Sequence, residues 1–351
     1  MARRYLYVLS SYAGDDPARP APGEPMFEYQ RFVAATGADV VSLSSLGAAG
    51  EGIRTRLTGK LLVQRLRLAA LVARRADRYD AIVASGEDIG ILVALALRVA
   101  RRRTPLVMVT HGPQFQSSKF RLVLSMVRSM SNVVFACLSR SLADWLVAHH
   151  GIDPRRAQAI GYGIDTDYFR TDPAPTEAMV ASAGSSNRDY DTLVVAVTPT
   201  GIDTRIAAHS AWVGAAASVQ AATPDHVEIR SYGNYANLRD LYRRARVVVV
   251  PTHDVPFAAG FAVIAEAMAT GTPVIATQGR VTSDFVEPGV TGLLVPPGDV
   301  EALRQAIVSL VNDPDRAATM GIAAAEMMRE RYSLDEYVSR LEAATDLHGG
   351  D

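Results

Sequence analysis

Short apolar runs alternate with longer amphipathic segments along the first half of this chain. Runs typical of buried strands occupy residues 5–10, 39–43, 81–84, 106–110 and 133–138. Helical periodicity occupies the intervals at 27–36, 54–76 and 90–102. Strands that alternate with helices predict a parallel sheet covered by helices on both faces.

A polar segment at residues 171–177 interrupts this pattern, which then begins again. Further strands are predicted at 180–183, 226–230, 247–250, 274–276 and 293–295, with a last helix at 334–344. We therefore predict an α/β chain of two Rossmann-like, doubly wound domains, at 1–165 and 166–330, followed by a terminal helix at 331–351. Ligands of such sheets bind outside the carboxyl ends of the strands, so a cleft between two facing sheets is the expected site.

Composition and charge exclude several classes of protein. The 351 residues give room for two hydrophobic cores, and a net charge of −1 offers no electrostatic case for nucleic acid as a partner. The single cysteine, Cys137, lies in an apolar run, which predicts a buried thiol and excludes an intramolecular disulfide. Arginine-rich stretches at 54–75 and 101–103 allow contact with anionic lipid, although solvated helix faces are the favoured interpretation.

No segment of the sequence has the pattern of a signal peptide or a membrane span. The chain enters a strand almost at once, at Tyr5, and its apolar runs are broken by Arg, Gly or Pro before they reach about 18 residues. We therefore expect a cytoplasmic protein with no integral membrane segment. The pattern leaves the oligomeric state open.

The stretch at residues 251–299 carries the clearest functional pattern. An apolar run ends at Pro251, a loop closes on Gly260, and a helix follows that carries Glu266 and ends before Gly271. The N-terminus of such a helix can receive an anion such as a diphosphate. Helical side chains tilt toward the N-terminus, so Glu266 can accept hydrogen bonds from paired hydroxyls such as those of a ribose. The alternative is an ordinary strand–helix–strand unit in which Glu266 is solvated.

The amino-acid sequence of this region closely resembles that of one protein family. GFAVIAEAMATGTPVIAT followed by GVTGLLVPPGDVEAL is similar to the donor-binding region of family-four glycosyltransferases of the GT-B fold. The segments IGYGIDTDYF at 160–169 and SAGSSNRDYDTLVVAV at 182–197 extend the resemblance, which is dense from about residue 161 to the C-terminus and thin before it. It implies two Rossmann-like domains facing across a cleft, with the last helix crossing back to the first domain.

The resemblance also implies an activity, a retaining and metal-independent transfer of a hexose. The donor would be a UDP-sugar or a GDP-sugar, the acceptor a small molecule or a lipid-linked molecule, and no cofactor would be needed. The leaving phosphate would aid deprotonation of the acceptor. No DxD-like motif stands at a strand end, which agrees with an expectation of no metal site.

Three residues are implied to be catalytic, namely His111, Arg188 and Glu266. Arg188 follows the first strand of the second domain, where a cation would stabilise the leaving diphosphate. The alternative for Arg188 is a surface pair with Asp189 or Asp191. His111 follows the strand at 106–110, where a neutral imidazole can contact the donor sugar, and the alternative is a structural histidine.

Further donor contacts are expected at loops after strands. Arg280 is a candidate second cation, Tyr232 a candidate contact to the base, and Gly14 stands alone in a loop where the family often has paired glycines. The complete expected donor-binding set is Gly14, Arg188, Tyr232, Ala259, Gly260, Phe261, Glu266 and Arg280.

Two departures from the family pattern leave alternatives open. The position of the family's first glutamate falls on Ala258, and the lysine that commonly accompanies the phosphate-binding arginine is missing. A degenerate homologue that binds a nucleotide or a partner without turnover would explain both. A GT-B nucleotide-sugar epimerase or hydrolase is a further alternative. The retained Gly260, Glu266 and Arg188 favour the transferase.

Overall fold

The computed structural model of the chain describes residues 3–11, 16–46, 58–112, 118–172, 176–208, 219–254 and 259–347. Two of the residues singled out in the sequence, Gly14 and Ala258, lie outside these ranges. The chain divides into two compact units. The first comprises Met1–Ala21, Met26–Gly163 and Asp335–Asp351, and the second comprises Pro22–Pro25 and Ile164–Leu334.

The first unit is built on a parallel sheet of six strands in the order β2-β1-β3-β4-β5-β6. Its strands are β1 (Tyr5–Val8), β2 (Asp39–Val41), β3 (Ala81–Ala84), β4 (Leu106–Thr110), β5 (Val133–Cys137) and β6 (Ala157–Ala159). The helices that connect them are α1 (Glu28–Thr36), α2 (Thr58–Arg75), α3 (Glu87–Val99), α4 (Ser118–Val127) and α5 (Arg140–His150).

Successive side chains of a strand point to opposite faces of the sheet, and the two faces of this sheet pack against different helices. Leu6 and Val8 of β1 join a core cluster with residues of α2, α3, α4 and α5. Tyr5 and Tyr7 point to the opposite face, where both rings pack against Phe32 of α1 at centroid distances of 5.4 and 5.6 Å. Helices α2 to α5 therefore share one face of the sheet, and α1 covers the other.

The second unit repeats this plan with a parallel sheet in the order β12-β11-β10-β7-β8-β9. Its strands are β7 (Glu177–Ala183), β8 (Thr204–Ala207), β9 (Val227–Arg230), β10 (Ala245–Val250), β11 (Val274–Thr277) and β12 (Gly292–Val295). Its helices are α6 (Tyr190–Val197), α7 (Tyr235–Arg244), α8 (Phe261–Ala269), α9 (Thr282–Phe285), α10 (Val300–Val311) and α11 (Pro314–Arg331). The last helix of the chain, α12 (Leu334–Asp346), belongs to the first unit from Asp335 onward.

The strand order creates one point in each sheet where consecutive connections diverge. In the second unit the chain leaves β7 toward β8 but leaves β10, the neighbour of β7, toward β11. In the first unit it leaves β1 toward β2 but leaves β3 toward β4. Loops that part in this way open a crevice at the carboxyl ends of the two strands, and ligands of open α/β sheets bind there.

The prediction of parallel sheets covered by helices is confirmed, and the differences are local. Helix α3 begins at Glu87 rather than at residue 90, because Gly86 in extended conformation ends the preceding loop. Strands β6 and β8 were not predicted, since each is three or four residues long and mixes polar with apolar side chains. Cys137 is buried as predicted. In the part of the chain that the structure describes, no helix has the length and apolarity needed to cross a bilayer.

A backbone contact inside the second unit gives a test of this packing. Gly321 lies within α11, and a Cβ atom added there would stand 2.0 Å from the carbonyl oxygen of Gly271, the residue after the C-cap of α8. Helix propensity alone favours alanine over glycine by about 1 kcal/mol. The close contact disfavours alanine, because the backbone carbonyl of Gly271 cannot move aside as the end of a flexible side chain can.

We expect Gly321→Ala to destabilise the protein by about 1–3 kcal/mol despite the gain in helix propensity. Denaturant unfolding of the variant and the parent measures the difference. Ala318→Gly, at an exposed position of the same helix, is the matched control and should cost about 1 kcal/mol through propensity alone. A more stable Gly321→Ala protein would contradict the close approach of α11 to the end of α8.

Candidate functional site

The guanidinium of Arg188 lies at the point where β7 and β10 diverge. The residue is 9% exposed, and its Nε donates to the carbonyl oxygen of Ala183 (2.8 Å) and its Nη1 to that of Ser186 (2.8 Å). The loop is tied to the end of β10 by a backbone bridge between Arg188 and Thr252. Arg188 forms no salt bridge within the described residues, so the alternative of a surface pair does not fit the geometry.

The two aspartates considered as partners of Arg188 are used elsewhere. Asp189 caps α6, accepting from the backbone nitrogen (3.1 Å) and the hydroxyl (2.7 Å) of Thr192. Asp191 accepts from the backbone nitrogens of Gln220 and Ala221 at 2.7 and 2.8 Å. Neither aspartate therefore neutralises the guanidinium.

Two glycines lie beside Arg188, and the first of them leaves the space that its guanidinium occupies. A Cβ atom on Gly184 would meet Nη2 at 2.4 Å, and one on Gly260 would stand 3.7 Å from Nη1 and 2.7 Å from Val250. Both glycines also have positive φ, 95° and 89°, which other residues rarely adopt. Gly260 is the N-cap of α8 and has no side chain to cap the helix, so the first N–H groups of α8 remain open to a ligand. The Arg188 guanidinium lies beside Gly260, next to these N–H groups.

Glu266 lies on α8, on the buried side of the helix. The residue is 7% exposed, and its Oε2 accepts a hydrogen bond from the hydroxyl of Tyr242 on α7 (3.0 Å). The alternative of a solvated helix residue therefore does not fit. A buried carboxyl this close to the amino end of a helix can take paired donors at its remaining oxygen positions.

Burial shifts the ionisation of the groups around Arg188. It raises the pKa of Glu266 to about 8, although the Tyr242 hydrogen bond and the charge of Arg188 act in the other direction. Burial also lowers the pKa of Arg188. The Tyr190 and Tyr242 hydroxyls and the Glu266 carboxyl act in the other direction without reversing the shift. The Tyr190 hydroxyl, which donates to Gly184, has its pKa raised to about 12 by burial. At neutral pH the described part of the site thus holds a guanidinium beside a largely protonated carboxyl.

Ser185 adds an unused polar group to this loop. Its hydroxyl is buried and has no hydrogen-bond partner among the described residues, although it stands in the turn between Gly184 and Ser186. Buried polar groups are nearly always satisfied in folded proteins. A ligand oxygen held at the loop after β7 would satisfy this one.

A hollow beside α8 brings together loop residues from the ends of β10 and β11. Arg280, His253, Asp254 and Ala259 line it, and Arg280 is exposed with no ion pair in the described ranges. The Phe261 ring, by contrast, is buried against Phe285 at a centroid distance of 4.4 Å. Phe261 therefore can offer a ligand its backbone but not its ring.

Tyr232 stands apart from Arg188 within the same sheet. It follows β9, at the sheet edge, whereas Arg188 follows β7 two strands away. Strands lie about 4.8 Å apart, which separates these strand ends by roughly 10 Å. The Tyr232 ring is half-buried beneath the Arg230 guanidinium, which lies 4.6 Å from its centroid. That separation is compatible with one ligand whose parts contact both places.

In the first unit, His111 is held by a carboxylate that the sequence analysis missed. Glu87 is buried at the start of α3 and accepts from the backbone nitrogens of His111 (2.9 Å) and Gly112 (3.1 Å), with His111 Nδ1 at 3.4 Å. This contact occupies Nδ1 and leaves Nε2 as the ring nitrogen that a ligand can use. Burial is the largest single influence and lowers the pKa of the imidazole. The hydrogen bond and charge of Glu87, with the charges of Glu28 and Asp88, together outweigh it, so the pKa of His111 lies above its usual value.

The structure thus brings together Arg188, Gly260 and Glu266, and places Arg280 and Ala259 next to them. Tyr242 and Glu87 were missed because each acts through a partner about 24 residues away in sequence. A signal for Glu87 does exist, since an acidic residue after Ser85-Gly86 starts a helix at a strand end.

Two family models match the chain. The model described as Glycosyltransferase Family 4 matches residues 39–168, and the model described as Glycosyl transferases group 1 matches residues 175–313. Alpha-maltose-1-phosphate synthase from Mycolicibacterium smegmatis is 30% identical over 58% of this chain and 60% of its own length. The alignments with this and the other leading curated relatives span from a fifth to three-fifths of those proteins.

Solved structures share the architecture over nearly the whole chain. Sucrose-phosphate synthase from Thermosynechococcus elongatus superposes with a TM-score of 0.72 at 19% identity, covering 97% of this chain and 98% of the other. Anabaena HepE in complex with UDP-glucose gives a TM-score of 0.69 at 19% identity, with the same coverage. Two parallel six-stranded sheets with flanking helices, matched in this way, define the GT-B fold. The chain belongs to the group 1, family-four-like glycosyltransferases, which confirms the resemblance found in the sequence.

Replacing Glu87 by glutamine tests whether the Glu87 carboxylate raises the pKa of His111. Glutamine keeps the size of the side chain but has one oxygen acceptor instead of two and carries no charge. It can accept only one of the two backbone hydrogen bonds, and we expect the pKa of the imidazole to fall. Titration of the His111 ring by NMR measures the shift. Asp88→Asn is the matched control, because Asp88 contributes less to the pKa of His111 than Glu87 does. An unchanged pKa in Glu87→Gln would show that the carboxylate does not govern the imidazole.

Proposed function

We propose that the protein is a retaining glycosyltransferase that moves a hexose from a nucleotide diphosphate sugar to a small-molecule or lipid-linked acceptor. One observation carries this proposal, namely the buried guanidinium of Arg188, which no carboxylate of the described chain pairs, at the glycine-capped N-terminus of α8. Both groups present positive charge to the same place, and a diphosphate is the anion that fits there. The proposed location is the cytoplasm.

The proposed chemistry needs stabilisation of the leaving group above all. When the bond between the anomeric carbon and the diphosphate oxygen breaks, its electron pair leaves with the phosphate as negative charge. Arg188 and the α8 N–H groups are fixed before the reaction, so they stabilise that charge without reorganisation and without a metal ion. The acceptor hydroxyl attacks the same face of the sugar, and its proton passes to the leaving phosphate oxygen, which retains the anomeric configuration.

Glu266 is proposed to bind the ribose of the donor. Its carboxyl lies on the helix whose N-terminus would hold the diphosphate, and one of its oxygens already accepts from Tyr242. Tyr232 is proposed to contact the base, Ala259, Gly260 and Phe261 to offer backbone groups, and Arg280 to act as a second cation. Gly14 and His111, in the first unit, keep their predicted roles toward the phosphate and the donor sugar.

Similar proteins support a nucleotide-sugar donor and narrow the range of acceptors to test. HepE was solved with UDP-glucose, which favours a UDP-sugar over a GDP-sugar here. The names alpha-maltose-1-phosphate synthase and sucrose-phosphate synthase both describe products that carry a phosphate. A phosphorylated sugar or polyol is therefore the first acceptor to test.

Product analysis separates the transferase from its alternatives. The protein is incubated with UDP-sugars or GDP-sugars, with and without acceptors, and products are followed by NMR. A new glycoside with the donor's anomeric configuration supports the proposal. Free sugar formed without acceptor indicates a hydrolase, a changed sugar still attached to the nucleotide indicates an epimerase, and binding without any product indicates a degenerate homologue.

Arg188→Ala tests the leaving-group role. We expect turnover to fall by about 100-fold or more, roughly 2.7 kcal/mol, with a smaller loss of donor affinity, because the charge it stabilises develops fully only in the transition state. Arg188→Lys should recover part of the activity, since lysine keeps the charge but loses the planar fork. Steady-state kinetics on the parent and both variants measures these effects.

Arg304→Ala is the matched control for this experiment. Arg304 also donates to a backbone carbonyl, that of Ala196 (3.1 Å), but it lies on α10 and not at the α8 N-terminus. Its loss should leave turnover within a few-fold of the parent once the variants are shown to be folded. A similarly small effect of Arg188→Ala would remove Arg188 from the mechanism.

The raised pKa of Glu266 predicts a pH-dependent affinity for the nucleotide. Two ribose hydroxyls need two acceptor oxygens, which only the ionised carboxylate offers. Below pH about 8 binding must first remove the proton from Glu266, so affinity should rise with pH, by up to about tenfold per unit, and level off above about 8. Calorimetric titration with a UDP-sugar across this range measures the profile.

Glu266→Gln is the variant that identifies the titrating group. Glutamine has no proton to lose, so its affinity should be independent of pH in this window. At high pH it should be weaker than the parent by the value of a charge-assisted hydrogen bond, about 1.5–3 kcal/mol. Parallel profiles in both proteins would mean that Glu266 does not bind the ribose.

A further inference from the structure

The hollow beside α8 adjoins the position proposed for the diphosphate. Thr252 lines the hollow and is joined to Arg188 by a backbone bridge, and its Cγ2 would stand 3.6 Å from a Cβ atom added at Gly260. Ala259, the residue before that glycine, lines the hollow as well. When a diphosphate is held at Arg188 and the α8 N-terminus, a group attached to its outer phosphate can therefore enter this hollow directly.

A turn that is fixed by hydrogen bonds presents Arg280 to the hollow. The hydroxyl of Thr282 accepts from the backbone nitrogen of Gly279 (2.8 Å) and donates to the carbonyl oxygen of Thr277 (2.8 Å). Val281, the residue after Arg280, is buried. The backbone on both sides of Arg280 is thus held in place, so its exposed side chain extends from a fixed position.

The Arg280 guanidinium forms no ion pair with a carboxylate of the described ranges, although Asp254 lines the same hollow. Residues 255–258, Val-Pro-Phe-Ala, add no charge to the loop that precedes α8. The other polar side chains that line the hollow are threonine hydroxyls, the amide of Gln278 and the ring of His253. The hollow therefore offers a ligand one permanent cation among hydrogen-bonding groups.

We infer that the donor sugar is a hexuronic acid, whose C6 carboxylate pairs with the guanidinium of Arg280. This inference rests on the proposed nucleotide-sugar donor and narrows the role of Arg280 from a second cation to the partner of the sugar. A guanidinium matches a carboxylate through two parallel hydrogen bonds. Asp254 and His253 are left for the sugar hydroxyls, which a carboxylate and an imidazole can both bind.

The two other kinds of donor sugar fit the hollow less well. A neutral hexose gives Arg280 no anion to pair with. A sugar phosphate carries a second negative charge, which Asp254 in the same hollow would repel. The transfer step itself is unchanged, because the carboxylate at C6 takes no part in the bond between the anomeric carbon and the phosphate oxygen.

Binding in the absence of an acceptor tests the inference. The full chain is titrated calorimetrically with UDP, UDP-glucose and UDP-glucuronate, the last two of which differ only at C6. We expect UDP-glucuronate to bind about tenfold more tightly than UDP-glucose, which is the gain from one charge-assisted pair. If UDP itself does not bind, GDP-mannose and GDP-mannuronate provide the same comparison.

Substitutions identify the cation. Arg280→Gln should weaken the binding of UDP-glucuronate by about tenfold and leave the binding of UDP-glucose and UDP unchanged. Arg280→Lys should keep part of the preference, because lysine keeps the charge but loses the planar fork. The matched control is Arg329→Gln on α11, where the arginine is also exposed and has no ion pair in the described ranges. The control should bind like the parent, and thermal unfolding should confirm that each variant is folded.

Four outcomes would overturn the inference. Equal or tighter binding of UDP-glucose by the parent would do so and leave the proposed transferase intact. A preference for UDP-glucuronate that survives in Arg280→Gln would place the carboxylate elsewhere. An equal loss for all three ligands in that variant would place the guanidinium at the diphosphate. Failure of the parent to bind any UDP or GDP ligand would overturn the proposed function as well, which distinguishes the two failures.

Discussion

The burial of one guanidinium constrains the second unit more than any other interaction. Taking a charged group out of water is costly unless its hydrogen bonds are replaced, and Arg188 replaces them with the carbonyl oxygens of Ala183 and Ser186. This fit needs a glycine at 184, because a Cβ atom there would collide with the guanidinium, and Gly260 is needed for its positive φ and its closeness to Val250. The loops after β7 and β10 are therefore shaped around a cation that no carboxylate of the described chain neutralises.

Burial also explains the unusual ionisation of Glu266, and it outweighs the charge of Arg188, which acts in the opposite direction. Glu266 approaches Arg188 but does not pair with it, and burial keeps the carboxyl largely protonated at neutral pH. A direct pair would neutralise the site and remove its attraction for anions. The Tyr242 hydroxyl instead occupies one oxygen of Glu266 and holds the carboxyl in place. The positive field at the α8 N-terminus is thereby preserved for a ligand.

The sequence was sufficient to predict the architecture and to single out the residues that meet around Arg188, for physical reasons. Buried parallel strands are continuous apolar runs, so ten of the twelve strands in the described ranges could be predicted, and only the short, mixed β6 and β8 could not. Gly260 and Glu266 share one strand–loop–helix unit, whose spacing is local. Tyr242 could not be found this way, because it stands in the charged helix YANLRDLYRR, whose pattern is typical of a solvated surface.

The anion position at the N-terminus of α8 and the Glu266 carboxyl follow each other along the helix, and their order determines how a ligand can lie in the site. From Phe261 to Glu266 the helix advances about 7.5 Å, and the tilt of the side chain toward the N-terminus shortens the distance between anion position and carboxyl. A ligand that fits must carry its negative charge at one end and its paired hydroxyls a few ångströms away. A nucleoside diphosphate has this order, with the diphosphate joined through a single methylene to the ribose. With the ribose toward Glu266 and the diphosphate at Arg188, the group attached to the far phosphate extends past the N-terminus of α8. That is the side on which Arg280, His253 and Asp254 line the hollow, so these loops are where the donor sugar would be recognised.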